Sequence, residues 1–169
     1  TVSNGATLKI GGTNTLPSSY STHSIGATST VEYDGTAQTI ANLNSSQNYG
    51  HLTLSGSGTK TLQTGTTTIT GNLTLSGTAT TATVVGLTIN GNLSIGDGTT
   101  FTATGFALTV TGTTTVGGGT SGNLTISSAT DAKLFTGLVT IAAGGTWNNS
   151  GNSAITFRGG ITNSGTFTA

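Results

Sequence analysis

The chain is written in short alternations of apolar and hydroxyl residues. Leu73-Thr74-Leu75, Leu87-Thr88-Ile89, Leu93-Ser94-Ile95 and Leu108-Thr109-Val110 each place an apolar side chain at every second position. A period of two marks a strand with one buried face, because successive side chains leave a pleated backbone on opposite sides. The pattern points Leu73, Leu75, Leu87, Ile89, Leu93, Ile95, Leu108 and Val110 inward, and Thr74, Thr88 and Thr109 outward. Glycine recurs every few residues between these segments and predicts tight turns.

The alternations also repeat at longer range. TITGNLTL (68–75), TINGNLSI (88–95) and TVTGTTTV (109–116) align without a gap. Two apolar ladders result, Ile69–Ile89–Val110 and Leu75–Ile95–Val116. Leu54 falls one such step before Leu75, and Val31–Tyr33 and Leu52–Leu54 are in phase with each other. Near the C-terminus, FTGLVTIAAGGTW (135–147) and ITFRGGITNSGTF (155–167) repeat the step, pairing Ile141 with Ile161 and Trp147 with Phe167.

A fixed period with a fixed phase is the mark of a repeat architecture, and a step of about 20 to 21 residues suits one coil of a β-solenoid. The expected fold is all-β: a right-handed parallel β-helix (β-solenoid) of about eight coils, forming a single domain over residues 1–169. Antiparallel hairpins in a sandwich or barrel explain the alternation equally well, but not the constant phase. Two stretches break the period. Residues 13–25 hold the only proline, Pro17, and read as a lateral excursion. Residues 117–135 carry another GNLTI that arrives late relative to GNLSI, which predicts an insertion of about ten residues in that coil.

Composition sharpens this picture. Glycine and threonine together supply 70 of the 169 residues, and the apolar fraction is 32%. A low apolar fraction often accompanies disorder, but disordered chains are rich in charge and poor in β-branched residues. Here the leading residue is β-branched threonine, and only four basic and four acidic residues are present. Threonine, valine and isoleucine favour extended structure, which supports many short strands.

The charge pattern excludes several partners. Lys9, Lys60, Lys133 and Arg158 are scattered, whereas nucleic acid calls for clustered cations. No apolar run approaches the roughly 18 residues of a spanning helix. Outer-membrane barrels alternate similarly, but one tryptophan and three tyrosines are too few for their aromatic girdles. The sequence therefore predicts neither nucleic-acid binding nor membrane insertion. The absence of cysteine removes disulfides and cysteine metal sites without choosing a compartment. The chain begins without methionine and reads as a piece of something longer.

Candidate chemistry is sparse. Glycoside hydrolysis requires two carboxylates across the scissile bond. The best polar pair is Glu32 and Asp34, two apart on one strand face, with Asp34-Gly35 also suited to a turn. Asp97 and Asp131 stand apart, and His23 and His51 are well separated, without acidic neighbours in sequence. Gly117–Gly119 lacks the lysine of a phosphate loop and reads as a turn. No catalytic, cofactor-binding or metal-ligating residue is assigned, no cofactor is expected, and the chain is not expected to be an enzyme. Asn-X-Ser/Thr triplets begin at Asn44, Asn72, Asn92, Asn123 and Asn148, as a threonine-rich composition produces. Asn72 and Asn92 share a repeat position, where stacked asparagines join coils through side-chain amides; Thr113 ends the series. Outward threonines, as at Thr66–Thr68, Thr113–Thr115 and in TFTAT (100–104), raise the alternative of an ice-binding face. Against it, the outward residues drift among Thr, Ser, Gly and Ala.

STVEYDGTAQTI (29–40), YGHLTLSGSGTKTL (49–62) and TTITGNLTLSGT (67–78) resemble repeat regions of very long bacterial surface and secreted β-helical adhesins, especially large repeat proteins of the Bacteroidetes group. The resemblance covers most of the chain and implies an extracellular or cell-surface location, with an adhesive or structural role as a shaft or fibre subunit. A carbohydrate-active β-helix enzyme is the further alternative, with Glu32, Asp34 or Asp131 in a lateral groove. Expected partners are a glycan or cell-surface ligand, and a second copy or further repeats stacked on the open strand edges of the end coils.

Overall fold

The computed structural model describes residues 1–17, 22–43 and 47–169. Among these residues the chain forms twenty short strands and no helix. The first are β1 (Thr7–Ile10), β2 (Thr30–Tyr33), β3 (Gln38–Thr39), β4 (His51–Leu54), β5 (Ser57–Thr61), β6 (Thr68–Ile69) and β7 (Leu73–Leu75). They continue as β8 (Thr78–Ala82), β9 (Leu87–Ile89), β10 (Leu93–Ile95), β11 (Thr100–Ala103), β12 (Leu108–Val110), β13 (Thr114–Val116) and β14 (Asn123–Ile126). The last are β15 (Lys133–Phe135), β16 (Val139–Ile141), β17 (Thr146–Asn148), β18 (Ile155–Phe157), β19 (Ile161–Asn163) and β20 (Thr166–Thr168).

Apart from β1 and β2, consecutive strands do not pair. Each strand instead pairs in parallel with its counterpart one coil away, which builds three faces. The first face is β1-β2-β4-β7-β10-β13-β16-β19, the second β3-β5-β8-β11-β14-β17-β20 and the third β6-β9-β12-β15-β18. Leu52 pairs with Leu73, Leu73 with Leu93 and Leu93 with Thr114. Each of these pairings spans about 20 to 21 residues, one coil of the repeat. The chain is thus a three-sided parallel β-solenoid, as the sequence periodicity predicts. Ile69–Ile89–Val110 ladder on the third face and Leu54–Leu75–Ile95–Val116 on the first. Val31 pairs with Leu52, and Tyr33 with Leu54.

The core lies inside the three faces. All eight residues expected to point inward are buried, and Thr74, Thr88 and Thr109 are half-exposed. The filling changes along the axis. Tyr33 and Tyr49 occupy the N-terminal interior, where their hydroxyls lie 3.1 Å apart and Tyr49 donates to the Ala41 carbonyl at 2.7 Å. Aliphatic rows, joined by Phe101, fill the middle coils. The C-terminal coils are aromatic: Phe135 stacks on Phe157 at 5.8 Å, and Trp147 on Phe167 at 6.0 Å.

Corners follow the same stacking rule. In the turn between the first and second faces, the Thr78 N–H donates to the Gly56 carbonyl, and the Ser57 N–H to the Gly35 carbonyl. Each coil therefore satisfies its neighbour's turn as well as its strands, as buried backbone demands.

Two expected alignments shift. The GNLTI of 122–126 is not a displaced copy of GNLSI: Leu124 pairs with Phe101 and Trp147 on the second face, whereas Leu93 belongs to the first. On the first face Thr114 pairs directly with Val139, a step only about four residues longer than the ordinary one. The extra length sits in the corners 117–122 and 127–132 instead of a ten-residue insertion. Trp147 pairs with Phe167 as expected, but Ile161 pairs with Val139 and Ile141 with Asn163. The corner between β19 and β20 is shorter than that between β16 and β17, so one coil contains two registers. In the region 13–25, residues 18–21 lie outside the described residues, as does Asn44. Ile25 forms a single parallel bridge with Val2.

Candidate functional site

The charged residues are distributed over different coils and corners. Glu32 extends outward from β2, and its Oε2 accepts from Lys9 Nζ on β1 at 2.9 Å. Its Oε1 accepts from the Ser55 hydroxyl at 2.8 Å. Burial acts to raise the Glu32 pKa, but the hydrogen bonds from Lys9 and Ser55 outweigh it and hold the carboxyl below the usual range. Its hydrogen bond to Glu32 raises Lys9 in turn. Lys9 is largely exposed, so this ion pair adds little to stability. Asp34 follows β2 at the corner and is half-exposed, while Tyr33 between the two acids is buried.

Lys60 and Lys133, two of the scattered cations, are buried. Lys60 occupies an inward position of β5 beside Gln38 of β3. Its Nζ donates to the carbonyls of Gly35 and Thr36 and to Gln38 Oε1 at 2.7, 2.5 and 2.8 Å. Gln38 donates in turn to the carbonyls of Ile10 and Asn14. Burial pushes the Lys60 ammonium below the usual lysine range, and the Asp34 charge partly opposes this. Lys133 repeats the device near the other end, donating to the carbonyls of Thr130 and Asp131 at 2.8 and 3.0 Å. Asp131, at φ 58°, sits in an exposed corner. These lysines fasten corners from within. The signal in the sequence was the strand parity of Lys60 between Thr59 and Thr61, which places it inward.

Asp97 serves a corner too. Its Oδ1 accepts from the backbone N–H groups of Gly118, Thr120 and Ser121, one coil on, at 2.7, 3.2 and 2.9 Å. The bonds from Ser121 and Gly118 contribute most in lowering its pKa to about 2. The 117–122 turn is therefore a cradle already filled by a carboxylate of the same chain.

The asparagine position behaves differently from the expected amide stack. Asn72 Oδ1 accepts from the Asn92 backbone N–H at 2.9 Å, and Asn92 Oδ1 accepts from the Thr113 N–H at 2.8 Å. His51 begins the series: its Nδ1 accepts from the Asn72 N–H at 2.9 Å. A side-chain acceptor in one coil thus satisfies the backbone of the next. Gly91 makes room, since a Cβ there would collide with Asn72 Oδ1.

His23 is buried among residues of the N-terminal coil, with Nε2 3.0 Å from the Pro17 carbonyl. Two clefts of about 260 and 290 Å³ meet at this ring, lined by Leu16, Pro17 and Ile25 on one side and by Ala41, Asn42 and Gln63 on the other. Neither contains a carboxylate. Among the described residues, no three His, Asp or Glu side chains gather within reach of one metal ion. No helix among them is long and apolar enough to cross a membrane. Comparison of the chain with protein-family models, with curated proteins and with solved structures finds no match in any of the three.

Proposed function

We propose that this solenoid is a structural module, a segment of the shaft of an extracellular bacterial fibre or surface adhesin. The observation that carries this reading is the unbroken eight-strand parallel ladder of the first face. In such a stack each coil is stabilised by the coils on either side, so length can be extended without a new core. The titratable side chains support the same view. Glu32, Asp97, Lys60, Lys133 and His51 all hold neighbouring coils or corners together. The resemblance of 29–40, 49–62 and 67–78 to Bacteroidetes-type adhesin repeats adds the extracellular or cell-surface setting.

Assembly in this reading proceeds along the axis. β19 and β20 each pair with one neighbour and leave the other edge open, and Ile161 at that end is 40% exposed. Parallel edges accept a further strand, so in this reading the shaft grows coil upon coil, within one chain or between copies. A glycan or other cell-surface component is the ligand class that such a shaft meets.

Imaging the native full-length protein on and off its cells tests the proposal. Thin rods anchored at the surface are the expected result. A compact, freely diffusing particle that turns over a glycan would overturn it and favour an enzyme using Glu32 and Asp34.

A further inference from the structure

In-register pairing on the second face lines up two outward rows. One comprises Thr59, Thr80, Thr100, Asn123, Thr146 and Thr166. The other comprises Ala82, Thr102, Thr125, Asn148 and Thr168. Eight of these eleven positions are threonine, and none is ionisable or aromatic. Placed in register, the drift expected from the sequence narrows on this face to three departures, Ala82, Asn123 and Asn148. Neighbours along a row stand about 4.8 Å apart and the rows about 7 Å apart, the dimensions of a pleated parallel sheet.

The array is held stiffly. Between the rows, Lys60, Thr81, Phe101, Leu124 and Trp147 point inward and are buried, which anchors the strands. The branched Cβ of threonine restricts χ1 and limits the positions open to its methyl and hydroxyl. The Thr59 and Thr80 hydroxyls, one coil apart, are within hydrogen-bond reach at 3.3 Å. The first face differs: its strands β7, β10, β13 and β16 have a single outward position each, and Lys9, Glu32 and His51 interrupt its N-terminal part.

The chemistry of the second face selects its partner. An uncharged face does not repay the desolvation of an anionic polymer or mineral, which calls for cations. A face without aromatic rings lacks the flat apolar platforms that stack on sugar rings. Two-dimensional order rewards only a partner that is itself neutral and periodic in two dimensions. Crystalline water is such a partner, offering hydrogen-bond donors and acceptors at fixed intervals.

We propose that the second face binds the surface of ice, its hydroxyls joining the lattice and its methyls seating ordered water between the rows. This goes beyond the shaft reading and does not depend on it, since all eleven positions of the two rows lie within these 169 residues.

The test measures freezing hysteresis, crystal shape and partition into growing ice with the 169-residue chain. Thr102→Tyr and Thr125→Tyr place a bulky ring in the second row, and Thr74→Tyr places one on the first face as a control. Tyrosine favours strands, and circular dichroism verifies that each variant folds. The wild type and Thr74→Tyr are expected to facet crystals and enter ice, while both second-face variants lose most of that effect. Exclusion of the wild type from ice would overturn the proposal, as would equal loss in all three variants. A face-to-face dimer disrupted by Thr102→Tyr, or retention on crystalline polysaccharide, with no ice activity in either case, would assign the face to another occupant.

Discussion

At Gly77 the chain turns from the first face to the second with φ at 68°, a region costly to side chains that carry a Cβ. A Cβ here would also collide with the Gly56 carbonyl oxygen, which accepts the Thr78 N–H. Both effects act together, so Gly77→Ala is expected to cost at least about 2 kcal/mol, read as a lower urea midpoint. An unchanged midpoint would show that the corner relaxes freely. Asp97 is the residue whose role depends most on pH. Its carboxylate is an acceptor for three N–H groups of the following coil, and its pKa is lowered from 3.8 to about 2 in the folded chain. The sign follows from linkage: the unfolded chain binds the proton more tightly, so this contribution is complete above about pH 4 and is lost as pH falls through about 2. Protection of the Gly118 and Ser121 amides, taken relative to intrinsic exchange at each pH, is expected to fall across that window, and Asp97→Ala to produce the same loss of protection at neutral pH.

The strands are too short to stand alone; several have three residues, and β3 and β6 only two. What makes them elements is the ladder through neighbouring coils. The inward row of the second face shows this clearly, running from Gln38 and Lys60 through Thr81, Phe101 and Leu124 to Trp147 and Phe167. Its N-terminal part is a polar clasp and its C-terminal part an aromatic stack. Trp147 is fully buried and meets Phe135 edge-on at 5.0 Å and Phe157 at 5.3 Å. Trp147→Ala opens a cavity across both the second and third faces. A loss of about 4 kcal/mol is expected, measured by chemical denaturation. A loss under about 1 kcal/mol would mean that Phe135 and Phe167 close the gap.

Taken as one body, the molecule is one-dimensional in its energetics. Eight stacked strands at about 4.8 Å place the first and last roughly 34 Å apart, and contacts run almost wholly between adjacent coils. Stability is then local, and hydrogen exchange can read it coil by coil. The middle coils, β7 to β13, have strands with inward residues fully buried, whereas β18 to β20 are largely exposed. In the 169-residue chain, protection is expected to peak in the middle coils and fall toward β18–β20. Uniform protection across all coils would indicate a single all-or-none unit instead.

The sequence by itself determined the coil. Leu54, Leu75, Ile95 and Val116 announce the period because every coil must offer an apolar residue at the same inward point, and translation along the axis preserves that requirement. It determined much less about the outside. The register of a coil depends on corner length, and corners tolerate gain or loss of residues wherever backbone stacking continues. Leu124 therefore reads as a late copy of Leu93 although it belongs to another face, and Ile161 reads as the partner of Ile141 although Val139 takes that place. Lys60 and Lys133 stand in the sequence as scattered cations, and the corner carbonyls that hold their ammonium groups come together only in the assembled coil. The same holds for the second-face threonines: the residues between them are lysine, threonine, phenylalanine, leucine and tryptophan, which share no apolar signature. Only stacking in three dimensions brings those threonines into rows, because their alignment is a property of strand register and not of any one segment.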